Sequence, residues 1–270
     1  MGYNELPERA VARAPFGEHP LMKLLLPLFL AVPGGIPFVS AADYHIDSRD
    51  GDDSRDGLSP RTSWRSLEKI NGTPLKPGDT VRFRAGGVWK GQFKPGGGGI
   101  KGSPVIVGRF GEGPAPRIDG EGKVRDTLLV RNTPFIEISD LEITNLGGKP
   151  EPWRTGVHVS ADGCGRLEHV VLRKLHVHDV NGDLRKSHEG CGIFFEAKGG
   201  NQSHFDGLLI ENCHVVKTDR NGICQRGNGR TRSRKVIIRG NLLEDIGGDG
   251  IKLWGTDGGL IERNVVRKAR

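Results

Sequence analysis

The chain has 270 residues and a formal net charge of +7, with 42 glycines and only 6% aromatic residues. So many glycines without a collagen period imply many turns between short strands, and no long segment keeps apolar residues at helical spacing, which excludes a helical bundle. No clustered basic run with stacking aromatics marks a nucleic-acid surface; the positive charge suits an acidic partner such as a uronate or sulfated polysaccharide, or serves solubility alone.

Residues 1–42 read as an N-terminal extension and secretory signal. From Met22 the segment MKLLLPLFLAVPGGIPFVSAA shows one lysine, an apolar run and a small-residue end, so the true start is expected at Met22 and cleavage near Ala41 or Ala42. Pro33, Gly34, Gly35 and Pro37 interrupt the run, which leaves it too short for a membrane anchor. The expected location is periplasmic or extracellular, with no more than peripheral membrane contact. Cys164, Cys191, Cys213 and Cys224 are spaced in a way that fixes no disulfide pairing and forms no CxxC zinc motif.

Residues 43–134 read as an N-terminal cap followed by the first coils of a solenoid. YHID is a short strand. SPRTSWRSLEKIN offers a Ser/Thr helix start and one or two turns, with Trp64 and Leu67 three apart. Asp52, Ser54, Asp56 and Gly57 have the spacing of a calcium loop, but Ser63 stands where such a loop needs Glu, so a solvated acidic turn is expected.

Residues 135–270 repeat. IEISDLEI (136–143), VVLRKLHV (170–177), LLIENCHV (208–215), VIIRGNLL (236–243) and LIERNVV (260–266) align on Ile138, Leu172, Ile210, Ile238 and Ile261, at spacings of 34, 38, 28 and 23. Leu141, Leu175, Cys213, Asn241 and Asn264 follow three residues on, and Ile143, Val177, Val215, Leu243 and Val266 two further. After each of the first four units comes a strand opening on glycine: GVHVSA, GIFFEA, GICQRG and GIKLWG. A constant kernel with a variable period means constant strands and variable loops, stacked turn on turn around one core. Asn241 and Asn264 predict an incomplete interior amide ladder. His176 and His214, at equivalent positions, predict a stack on the outer face.

These repeats resemble the right-handed parallel β-helix proteins of the pectate-lyase-like superfamily. The leading segment YHIDSRDGDDSRDGLSPRTSWRSLEKINGTPLKPGDTVRFRAGGVWKGQ is similar to that of secreted bacterial β-helix proteins, many assigned to polysaccharide breakdown. The expected fold is therefore all-β, a right-handed parallel β-helix with a short N-terminal capping helix. The chain stops partway through a coil without a capping element, so a truncated product of a longer relative, or a partner subunit covering the end, is expected.

In the glycine-led strands, side chains alternate between faces. Val157, Val159, Ile193, Phe195, Ile223, Ile251 and Leu253 point inward, and Gln225 would too and needs a partner. Two outward rows result: His158, Phe194, Cys224 and Lys252, and Ser160, Glu196, Arg226 and Trp254. The resemblance implies that this sheet floors a glycan groove. Two neighbouring loops, carrying 6 and 8 extra residues, would form one wall with Trp153, Arg154, Arg185, Lys186, His188 and Glu189. Trp254, Phe194 and Trp153 could stack on sugars beside Glu196 and His158. β-Elimination of a uronate needs a carboxylate clamp and a base; Arg226 suits the clamp and Lys252 the base, with Arg220, His188 and His158 as further candidates. Asp249 and Asp219 lie before their strands as acids or calcium ligands, calcium being the only cofactor suggested. The leading expectation is a polysaccharide lyase. The alternatives are a glycoside hydrolase, with Glu196, Asp219 and Asp249 supplying its two carboxylates, a uronate epimerase, or a non-catalytic glycan-binding protein.

Overall fold

The computed structural model describes residues 41–183, 190–200 and 202–270. Residues 1–40, where the signal segment is expected, and Arg185, Lys186, His188 and Glu189 of the second long loop lie outside the described residues. Among those described, the strands form three long parallel sheets of nine, seven and five strands and one short pair. Each coil visits the nine-stranded, the seven-stranded and then the five-stranded sheet, which makes the molecule a parallel β-helix.

The kernel sets the register. Ile138, Leu172, Ile210, Ile238 and Ile261 are successive neighbours in the nine-stranded sheet. Ile143, Val177, Val215, Leu243 and Val266 are neighbours in the seven-stranded sheet. Val157, Ile193, Ile223 and Ile251 pile up in the five-stranded one. Residues with a coil on both sides are fully buried, whereas Ile261 and Val266, in the last coil, remain about half exposed. The ladders cross residues 134–135 without a break, since Val105 pairs with Ile136 and Leu128 with Val157.

In the five repeats the corner between the nine- and seven-stranded sheets has two residues. The first, Asp140, Lys174, Asn212, Gly240 or Arg263, is left-handed at φ between 52° and 64°. That conformation costs roughly 1–2 kcal/mol for a non-glycine residue, and the ladders on either side hold it in place. The second residue points inward. There the Asn241 amide oxygen accepts from the Cys213 N–H at 2.9 Å, while its NH2 donates to the Ile210 carbonyl at 3.0 Å and to Asn264 Oδ1 at 2.9 Å. Asn264 donates in turn to the Ile238 carbonyl at 2.8 Å. The amide ladder is thus present, with Cys213 bonded to its end through the backbone.

The glycine that opens each strand of the five-stranded sheet answers a packing demand. A Cβ on Gly156 would lie 2.5 Å from Val177 Cγ1 and 2.8 Å from the Gly192 carbonyl; on Gly222 it would lie 2.5 Å from Leu243 Cδ2 and 2.7 Å from the Gly250 carbonyl. The corner is too close for any side chain.

At the amino end the helix Leu67–Asn71 is capped by Ser66, whose hydroxyl accepts the Lys69 N–H. It buries Leu67 and Ile70 over the first coil. Residues 59–66 are turns and a bridge rather than helix, because Asp53 binds the N–H groups of Arg65 and Ser66. Trp64 is buried, stacks on Tyr44 at 4.9 Å and donates to the Arg55 carbonyl at 2.8 Å. Asp52 and Asp56 bind nearby backbone N–H groups, forming the acidic turn expected.

Gln225 points inward and finds Thr256, whose hydroxyl donates to its Oε1 at 2.7 Å, while its Nε2 stays unpaired. His176 and His214 stack at 4.9 Å and 10°. All four cysteines are free thiols, and Cys213 is pushed up to about 12 by burial. No helix among the described residues is long and apolar enough to cross a membrane.

Candidate active site

The five-stranded sheet carries a charged network on its outer side. His158 lies mid-strand in Thr155–Asp162, between a carboxylate of the preceding coil and one of the next. Its Nδ1 is 3.1 Å from Asp126 Oδ2, and its Nε2 is 3.1 Å from Glu196 Oε1. The Nε2 contact is a hydrogen bond; the Nδ1 contact is an ion-pair approach with poor hydrogen-bond direction. Glu196 also pairs with Lys198 through a short contact, and its Oε2 is 3.7 Å from the Arg226 guanidinium. Asp126 accepts the Thr155 hydroxyl at 2.6 Å.

An aromatic layer adjoins these charges. Phe194 lies 5.1 Å from the His158 ring, and the Arg226 guanidinium sits 5.5 Å from Phe194 and 4.8 Å from Trp153. Arg125 also lies against Trp153, at 5.4 Å. Trp153 is left-handed at φ 65°, a conformation that costs a bulky residue on the order of 1–3 kcal/mol. The next residue holds the loop. Buried Arg154 donates to the carbonyls of Lys149, Asn181 and Gly122 and to Asn181 Oδ1, at 2.6 to 3.0 Å.

The expectation of two open outward rows is corrected. His158, Phe194 and Glu196 are at most 3% exposed, and Ser160 and Cys224 are buried with them. Strand alternation fixes which way a side chain points, but exposure depends on what packs above it. Here the first long loop turns back, placing Trp153 against Arg226 over this side of the sheet. Trp153 and Phe194 are thereby in contact with arginine rather than presented bare for sugar stacking. Trp254 alone of the predicted aromatics is open, at 60% exposure.

Arg226 belongs to the network, whereas Arg220, Asp219 and Asp249 lie apart from it. Lys252 pairs in register with Cys224 and is half-buried. Arg226, expected as a carboxylate clamp, contacts Glu196, Phe194 and Trp153. Arg220, Asp219 and Asp249 occupy the corners ahead of the strands, with the Asp249 N–H bonded to Asn221 Oδ1 at 3.0 Å. Asn221 registers with Cys191 and Arg226 with Glu196, so these corners are about 16 Å along the strand from Glu196. That exceeds the separation of about 5–9.5 Å at which two carboxyl groups work on one glycosidic bond. The expected pairing of Glu196 with Asp219 or Asp249 is corrected accordingly. Asp219 lines a cavity of about 500 Å³ with Asp179, Lys217 and Asp245. Burial raises its pKa, against the opposing charge of Arg154. Among the described residues no group of three or more His, Cys, Asp or Glu is arranged to hold a metal ion. His188 lies outside the described residues.

Asp126 and Lys198 were not singled out from sequence, and Arg154, expected on the wall of the groove, is buried and anchors the loop instead. Asp126 lies one coil before the first clear repeat, and only the pairing of Thr155 with Asp126 brings it beside His158. Burial alone would raise the Glu196 carboxyl, but the His158 and Lys198 contacts outweigh it and hold it at about 2. Burial alone would lower His158, and its two carboxylate neighbours raise it instead. A carboxylate held so firmly ionised cannot donate a proton near neutrality and is a weak base; it fits a stabiliser of positive charge. Asp126 and Glu196 lie on either side of the His158 imidazole, each 3.1 Å from one of its ring nitrogens.

No family model matches the chain. It is 26% identical to a lacto-N-biosidase of Bifidobacterium longum subsp. longum, over an alignment of 313 positions that takes in 84% of this chain and 20% of that protein. It also resembles the crystal structure of the GH136 lacto-N-biosidase from Eubacterium ramulus, with a TM-score of 0.73 and 26% identity over 82% of this chain and 44% of that one. The selenomethionine form of that protein gives a TM-score of 0.70. The chain thus spans about one fifth of the curated relative and less than half of the solved one. These relatives are glycoside hydrolases, which overturns the expectation of a lyase: what this chain is similar to, in sequence and in structure, hydrolyses glycosidic bonds.

Proposed function

We propose that this chain is the β-helical portion of a glycoside hydrolase acting on a glycan as a lacto-N-biosidase does. The observation that carries the reading is the likeness, at 26% identity and a TM-score of 0.73, across more than four fifths of the chain. Arg226 and Trp153, partly exposed beside Glu196, are the groups there that a sugar would meet. The wider kinship with the pectate-lyase-like superfamily is part of the same proposal, supported by the repeat kernel and the interior amide ladder. Secretion is proposed from the layout after Met22, and N-terminal sequencing of exported protein checks it.

The test incubates the full chain with an aryl lacto-N-bioside, aryl monosaccharide glycosides and polygalacturonate. Release of the aryl group from the disaccharide glycoside, but not from the monosaccharide glycosides, is expected. Formation of an unsaturated uronate, or neither release nor binding of the disaccharide, overturns the reading.

A further inference from the structure

A basic concavity lies away from the network, on the nine-stranded sheet beside the corner that enters it. Its volume is about 400 Å³, and His204, Arg230, Thr231, Arg232, Arg234 and Asp257 line it. The sequence here is RTRSRK, residues 230–235. Strand alternation sends Ser233 inward, where it is fully buried, and leaves the flanking Arg232 and Arg234 on the exposed side. The loop that presents them is fixed. Asn228 donates to the carbonyls of Gly200 and Ser203, and its Oδ1 accepts the N–H groups of Arg230 and Thr231.

The acids of the patch are already engaged. Arg234 stands in register between Asp206 and Asp257. Asp206, however, is taken by Lys235 at 2.8 Å and Arg166 at 3.5 Å, and Asp257 by Arg232 through a short contact. Among the described residues no carboxylate pairs with Arg230 or Arg234. Two guanidinium groups with surplus charge therefore share one concavity on a rigid sheet. Planar forks of this kind match carboxylate and sulfate oxygens bidentately.

We propose that Arg230 and Arg234 form a binding site for an anionic substituent of a glycan, a sulfate or a carboxylate, distinct from the Asp126–His158–Glu196 network. A lipid surface is disfavoured because no apolar side chain lines the concavity. A nucleic acid is disfavoured because no Phe, Tyr or Trp offers its bases a stacking face. This inference does not depend on the proposed hydrolase activity.

The test is calorimetric titration of the full chain with a heparin-derived hexasaccharide, its desulfated N-acetylated form, a hexagalacturonate and a short DNA duplex. Binding of the sulfated sugar without the other two assigns the site to sulfate, and binding of all three, or of the last two alone, assigns it to carboxylate. In either case Arg230→Ala with Arg234→Ala should weaken affinity by about tenfold or more and lower the salt slope by about two. Lys123→Ala with Lys149→Ala, which removes the same charge elsewhere, should change affinity less than about twofold. No binding of any sugar, equal losses in the two double variants, or DNA binding as tight as that of the sugars overturns the proposal.

Discussion

Glu196 shows how far a single buried charge depends on its neighbours. It is 1% exposed and is held by His158, Lys198 and Arg226 together. Glu196→Gln leaves those cations facing a neutral amide, and losing one partner of a buried ion pair costs about 3–5 kcal/mol. A fall in Tm on the order of 10 °C is expected by differential scanning calorimetry; an unchanged Tm would mean the network contributes nothing to stability. Gly222→Ala is the opposite kind of change, an insertion into a corner without room. Overpacking should cost about 1–3 kcal/mol, read as a lower midpoint in urea. Much at this scale was legible beforehand, because the inward residues follow from alternation and the kernel fixes their neighbours. The His176–His214 stack and the need of Gln225 for a partner both come from that register. The burial of Phe194 and Glu196 was not legible, because it depends on a loop that has no period and turns at a left-handed tryptophan.

At the scale of elements, the first long loop and the five-stranded sheet act as a unit. Arg154 ties the loop to three backbone carbonyls, from residues that span 122 to 181. Arg154→Ala should free residues 146–154, seen as faster cleavage there in limited proteolysis and as a change in Trp153 fluorescence; unaltered cleavage would assign the anchoring to other contacts. The network beneath gives the sheet a pH profile. Glu196 is depressed from 4.5 to about 2, so its contribution of about 3 kcal/mol is complete above pH 4.5 and is lost as pH falls toward 2. His158 is raised from 6.5, so its contribution is complete below pH 6.5 and is lost as pH rises through the higher folded value. Stability should therefore peak between about pH 4.5 and 6.5, and thermal melts across pH 2 to 9 would show it. In Glu196→Gln the acid limb should flatten. The loop itself was legible as an insertion from its length; its direction across the sheet was not, because sequence length carries no orientation.

At the scale of the whole molecule, stability is distributed coil by coil, each contacting chiefly its neighbours. Asn241 joins three successive coils through Ile210, Cys213 and Asn264. Asn241→Ala strands the Cys213 N–H in the interior and should cost about 1–3 kcal/mol. Hydrogen exchange would show the loss concentrated around residues 208–266, whereas even loosening along the chain would contradict coil-wise coupling. The architecture was readable because repetition multiplies a weak local signal five times. The reaction class was not, since one scaffold hosts both elimination and hydrolysis, and composition does not distinguish them.

The corner between the nine- and seven-stranded sheets keeps one length in all five repeats, while the other junctions vary. A solenoid built this way has a fixed spine and a free margin. Within these repeats extra residues accumulate along the margin, so new recognition surfaces can be added there without disturbing the spacing of one rung from the next.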